Sequence, residues 1–225
     1  MAPRLPPQPG NPAMIIYTAA SVRDLSIDAE QLTGLTFTGH ALWYADRGRE
    51  QAVCLDPHTG ETGAVLACPG LDAGLTTLGG CLLYATESSL RLAEPHSGDI
   101  LREVPTPRPG VPIGGMEAGR DGIWLGWPDS LDLRHASDLR VLATVPAPLG
   151  VSGTTVTDRY LAYTDRLGEA ITVLDLGTGR NVLQIQVDGR PATSLTWDGL
   201  RLWYGDSGNM RLRALDVPGL STRAD

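Results

Sequence analysis

Few side chains here are placed to do chemistry, and the carboxylates are the most regular of them. Asp46, Glu87, Asp129, Asp165 and Asp206 each follow an aromatic-bearing apolar run by a few residues. As a ring they would draw a cation or an amine. Their recurrence at one place also suits turn formers that accept backbone N–H bonds. Glu117 is different, a lone carboxylate in GGMEA at 114–118, where the comparable positions of other runs are Thr38, Leu78, Thr157 and Trp197. Lining a channel, such a group would be desolvated enough to serve as an acid or base, or would hold a structural ion or water. Nearby, Arg108 is held between two prolines in PTPRPGVPIGG at 105–115, and Trp127 opens WPDS at 127–130, where sister segments carry Asp, Thr or Glu. An aromatic wall beside an Arg and a carboxylate is the make-up of a ligand pocket. Arg108, Glu117 and Trp127 are therefore the expected binding residues. If the protein is an enzyme, Glu117 is the expected acid or base, assisted by Asp46, Asp165 or Asp206.

Other chemistries find no support. There is no Ser–His–Asp or Cys–His arrangement, no phosphate-cradling glycine loop and no zinc spacing, so no cofactor and no metal are expected. Cys54, Cys68 and Cys81 sit in or beside apolar runs as free, buried thiols, which favours a reducing cytoplasm. His58, His96 and His135 are spaced 38 and 39 residues apart, but they fall in or beside turns too far apart to share a ligand. All 18 basic residues are Arg, which removes Schiff-base chemistry. A net charge of -8 weighs against nucleic acid and anionic membrane as partners. No stretch is apolar for the length of a membrane span. The expected partner is a small molecule or peptide, a cationic one included.

The elements that must position these groups come from a repeat. LTFTGHALWYADRGREQAVCLDPHTGETGAVLACPG at 35–70 consists of short alternating apolar runs, each closed by Gly, Asp or Pro, with no helical periodicity. Its strongest run, ALWYAD at 41–46, has counterparts in CLLYAT, GIWLGW, YLAYTD and RLWYGD. The aromatics Trp43, Tyr84, Trp124, Tyr163 and Trp203 are separated by 41, 40, 39 and 40 residues. Strand repeats of this period mean radial blades. In blade one the four strands, A to D outward from the channel, are expected at 35–38, 41–46, 52–55 and 63–67. In blade three they are expected at 113–117, 122–126, 131–134 and 140–145.

The two ends are complementary. The last repeat supplies strands at 193–197, 201–206 and 211–217 but lacks a D strand, while residues 22–28 form a D strand without a blade. Joining them closes a ring and removes two exposed sheet edges. The expected fold is all-β, a five-bladed β-propeller closed by an N-terminal strand. Six blades, with 14–28 as a small irregular one, is the alternative. Residues 1–13, with five prolines, are expected to be a disordered or extended tail, and 14–220 a single domain.

LTWDGLRLWYGDSGN at 195–209, with its degenerate form LTFTGHALWYADRG at 35–48, resembles the blade signature of the streptogramin-lyase and NHL-like propeller superfamily. That resemblance implies blades rather than one activity, since its members include lyases, lactonases and binding scaffolds. Gly115-Met116-Glu117 is similar to the acidic inner strand of the five-bladed glutamine cyclotransferases. Two classes of function follow: a propeller that binds a small molecule or peptide, or a partner protein, at its channel mouth; or a cyclase, lyase or hydrolase that uses channel carboxylates.

Overall fold

Alternating apolar residues between turn formers become strands throughout. The computed structural model describes residues 14–147, 149–165, 167, 170–187, 192–217 and 220. The expected tail, 1–13, lies outside them. Strands β1 (Ile15–Ala19) and β2 (Ser21–Ser26) come first. Blade one is β3 (Leu32–Phe37), β4 (Leu42–Asp46), β5 (Gln51–Leu55) and β6 (Thr62–Ala67). Blade two is β7 (Leu71–Leu78), β8 (Cys81–Thr86), β9 (Ser89–Ala93) and β10 (Ile100–Pro105). Blade three is β11 (Gly115–Gly119), β12 (Gly122–Gly126), β13 (Ser130–Arg134) and β14 (Val141–Pro146). Blade four is β15 (Gly153–Val156), β16 (Tyr160–Thr164), β17 (Ala170–Asp175) and β18 (Arg180–Val187), and β19 (Ala192–Trp197), β20 (Leu202–Asp206) and β21 (Arg211–Leu215) belong to blade five. Among the described residues no helix is long and apolar enough to cross a membrane.

The N-terminal strands settle the blade count at five. β2 runs antiparallel to β21, with Leu25 opposite Leu212, and completes blade five as its outer strand. β1 does something else: it pairs in parallel with β18, Ile15 opposite Leu183, as a fifth strand on blade four. Residues 14–28 thus build no sixth blade. Two short strands alone are marginal in water, and each gains a full ladder by joining an existing edge.

The apolar interior is a set of five wedges between neighbouring blades. Successive side chains in a strand point to opposite faces, so Trp43 packs toward blade two while Tyr44 packs toward blade five. Trp124 and Trp203 repeat the first orientation, whereas Tyr84 and Tyr163 face back toward the preceding blade, as Tyr44 does. The five spaced aromatics are therefore not one equivalent set. Strand pairing places Leu83 and Ala162 at the position of Trp43, opposite Thr76 and Thr155 as Trp43 is opposite Thr36.

The inner strand of blade three also departs from expectation. It begins at Gly115, not at 113, because Pro112 has no N–H to pair and a Cβ on Gly114 would lie 1.6 Å from the Val151 carbonyl oxygen. The C-to-D turns are built as their residues suggest. The carboxylate of Asp56 accepts the N–H groups of His58 (2.6 Å) and Thr59 (2.8 Å), and Gly60 follows at φ 78°. Glu94 does the same in blade two, with the N–H groups of His96 and Ser97, and Asp175 in blade four accepts that of Thr178.

Candidate functional site at the channel mouth

The inner strands carry a repeated triplet: Gly34-Leu35-Thr36, Gly74-Leu75-Thr76, Gly115-Met116-Glu117, Gly153-Thr154-Thr155 and Ser194-Leu195-Thr196. Its first position forms a throat. A Cβ at Gly34 would sit 2.7 Å from the Leu75 nitrogen, and one at Gly153 would sit 2.7 Å from the Cα of Ser194, so the blades approach this closely because four of the five positions are glycine. The room left is about 10 Å³, near the least that holds one water. The Gly-x-hydroxyl spacing was the signal for this ring, and it becomes readable only when the blades are in register.

Two residues further from the mouth comes a second ring, of Thr36, Thr76, Glu117, Thr155 and Thr196. Its true members lie two residues before Thr38, Leu78 and Thr157 and one before Trp197, the comparison set read from the sequence. Glu117 is 8% exposed. Thr76 donates its hydroxyl to Oε2 at 3.1 Å and Thr155 approaches Oε1 at 3.5 Å, one from each flanking blade. Burial drives the Glu117 carboxyl well above the usual carboxylate range, and the two hydroxyls only partly oppose it. At about 3.3 Å per residue, this group lies roughly 7 Å below the throat.

Above the throat the channel widens into a recess of about 480 Å³. It opens on the face of the D-to-A and B-to-C connections and is lined by Gln31, Thr33, Arg47, Asp72, Thr193 and Ser207, among others. Arg47 reaches from blade one to Asp72 of blade two, Nη2 to Oδ1 at 3.0 Å, and both side chains keep exposed area in the recess. At its floor, Thr33 Oγ1 is buried with no hydrogen-bond partner among the described residues.

Of the residues expected to form one pocket, Arg108 and Trp127 meet, but Glu117 sits apart in the channel and none of the three lines the recess. Trp127 is fully buried in the wedge between blades two and three, with Met116 and Ile123. It occupies the position that Asp46, Thr86, Asp165 and Asp206 hold in the other blades. Arg108 lies over its ring at 4.7 Å and is held by Asp129 at 2.8 Å and Asp132 at 3.1 Å. Asp132 also takes Arg134 at 2.7 Å. This is a stacked, charge-neutralised plug at the blade interface, and neither it nor Glu117 lines the recess. The repeated aspartates are engaged with local chain. Asp46 accepts the N–H groups of Glu30 (3.2 Å) and Gln31 (3.0 Å), Asp165 that of Leu167 (2.9 Å), and Asp206 that of Asn209 (3.1 Å).

Architecture and site together define a five-bladed β-propeller with a recess of mixed polar and apolar lining at one end of its channel. No protein-family model matches the chain, and no curated protein matches it. Among solved structures, it is similar to the glutaminyl cyclase of Myxococcus xanthus, with a TM-score of 0.74 and 14% identity over 91% of this chain and 99% of that one. It is also similar to the Swd1 β-propeller domain of Myceliophteria thermophila, with a TM-score of 0.57 and 11% identity over 88% of this chain and 99% of that one.

Proposed function

We propose that the protein is a binding propeller that takes a small polar molecule or a peptide end into the recess at the channel mouth. The observation that carries this reading is the Arg47–Asp72 pair on the recess wall. It presents a guanidinium with donors to spare beside a carboxylate, the complement of a ligand bearing both an acidic and a basic or hydroxylic group. Thr33 Oγ1 below them supplies a hydrogen-bonding group that the fold has not spent. A recess of this size suits a small ligand. The blade signature shared with streptogramin-lyase-like propellers is compatible with this reading and does not narrow it.

A second reading, cyclase-type acid–base chemistry, is favoured by the glutaminyl cyclase fold neighbour and by the buried carboxyl of Glu117. It requires a substrate to pass a throat that holds about one water, so binding at the mouth is the better account. The test is a thermal-shift and calorimetric screen of amino acids, short peptides and small polyols. A ligand of the recess should bind one to one, and Arg47→Gln or Asp72→Asn should weaken it tenfold or more. Equal affinity in both variants would overturn the binding reading. Ammonia release from glutaminyl peptides that disappears in Glu117→Gln would establish the second.

A further inference from the structure

The five wedges are built from equivalent positions, so each is a control for the others. Between blades two and three, on the face opposite the recess, the outer wedge is closed: Leu78, Leu92, Ala136 and Leu139 leave about 20 Å³. Leu139 fills it at φ 56°, where the sister turns have Gly60, Gly98 and Gly179. Arg102 then crosses to the Ser137 carbonyl. Between blades five and one, Arg23 crosses in the same way, its Nε 3.0 Å from the Pro57 carbonyl.

Between blades one and two the same place is open. Strand register puts Ala64 where Arg23 and Arg102 stand, Thr38 where Leu78 stands and Cys54 where Leu92 stands. Gly98 is the counterpart of Leu139. The result is a cleft of about 470 Å³, floored by Phe37, Trp43 and Leu82 and edged by the Thr38 and Thr77 hydroxyls. His40 and His96 stand at the rim. His96 Nδ1 lies 2.9 Å from Glu94 Oε1. An ionised carboxylate can only accept, so Nδ1 carries the proton and Nε2 of the neutral ring is left as an acceptor. Glu94 at this rim also repels anions.

We propose that this cleft is a second binding site, separate from the channel mouth, for a planar aromatic small molecule carrying a hydrogen-bond donor such as a phenolic hydroxyl or an indole N–H. The ring stacks on Trp43 and Phe37, and the donor meets His96 or a threonine hydroxyl. The chain fills the equivalent space with Leu and Arg side chains between blades two and three and crosses it with Arg23 between blades five and one, whereas here it leaves an aromatic floor open to small molecules.

The experiment titrates the nitrogen-labelled full chain with indole and follows the tryptophan side-chain N–H signals, Trp43 being assigned by its loss in Trp43→Phe. The Trp43 signal should move saturably while those of Trp124 and Trp203 stay. Ala64→Arg, which copies Arg102, should weaken the apparent affinity tenfold or more. Thr38→Leu, which copies Leu78, should do the same and decides the matter if the first variant does not fold. Benzoate, planar but anionic and without a donor, should bind at least tenfold more weakly than indole. The proposal is overturned by a Trp43 signal that stays fixed up to the solubility limit of indole, by a folded filling variant that titrates like the wild type, or by benzoate binding as tightly as indole.

Discussion

Thr76 and Glu117 belong to adjacent blades and meet inside the channel, where the threonine hydroxyl donates to Oε2 at 3.1 Å while accepting the N–H of Ala118 at 2.9 Å. One hydroxyl thus ties the inner edge of blade three to blade two through both a side chain and the backbone. The carboxyl it holds is the sole acid in a ring otherwise made of threonines, and its protonation should be felt by the whole fold.

The folded-state pKa of Glu117 is raised, so between an ordinary value of about 4.3 and that raised value the native chain binds more protons than the unfolded one. Stability must therefore fall as pH rises through this window and level off above it. Glu117→Gln removes the ionisation. Its unfolding free energy should match the wild type below the window and exceed it increasingly as pH rises, by about 1.4 kcal/mol for each unit of displacement. Urea denaturation at several pH values checks this. A wild type and variant that run parallel across the range would show that the carboxyl is not held in its neutral form.

Trp127 should matter to stability rather than to recognition. It fills the wedge between blades two and three without exposure, so Trp127→Ala should cost about 3–5 kcal/mol. It should leave ligand affinity at the mouth within a factor of two once the protein is folded. Denaturant midpoints and calorimetry on the same preparation separate the two effects.

Ring closure rests on β2, not on β1. A chain lacking residues 1–19 loses the strand added to blade four but keeps the β2–β21 ladder, and should keep the oligomeric state of the full chain with a modest fall in melting temperature. A chain lacking residues 1–26 leaves the β21 edge unpaired and should associate or aggregate. Gel filtration with light scattering distinguishes the outcomes.

Cys68 is fully buried, and burial pushes its thiol up to about 11. Since the thiolate is the reactive form, Cys68 should resist alkylation at neutral pH until the protein unfolds. Cys81, only partly buried, should label first. Mass spectrometry of partially labelled protein reads the order.

Short alternating runs and their turn residues determine strands locally, which is why ALWYAD and its counterparts, the D-less last repeat and the orphan strand near residue 22 sufficed to specify a closed five-bladed ring. The glutamate of an inner strand was also legible as a lone carboxylate, although the positions compared with it, Thr38, Leu78, Thr157 and Trp197, were not its true counterparts. Register between blades was not. Adjacent residues of a strand face opposite wedges, so Trp43 and Tyr84 look equivalent along the chain although they pack in opposite directions. Only the pairing of Thr36 with Trp43 and of Thr76 with Leu83 shows the one-residue slip. Arg108, Glu117 and Trp127 are close in the chain, yet a strand sends its side chains to different faces and depths. Tertiary packing therefore buried Trp127 between blades, set Glu117 below the throat and gave the mouth to Arg47 and Asp72. The open cleft beside Ala64 is likewise a property of packing, because a missing arginine leaves space only where two blades meet.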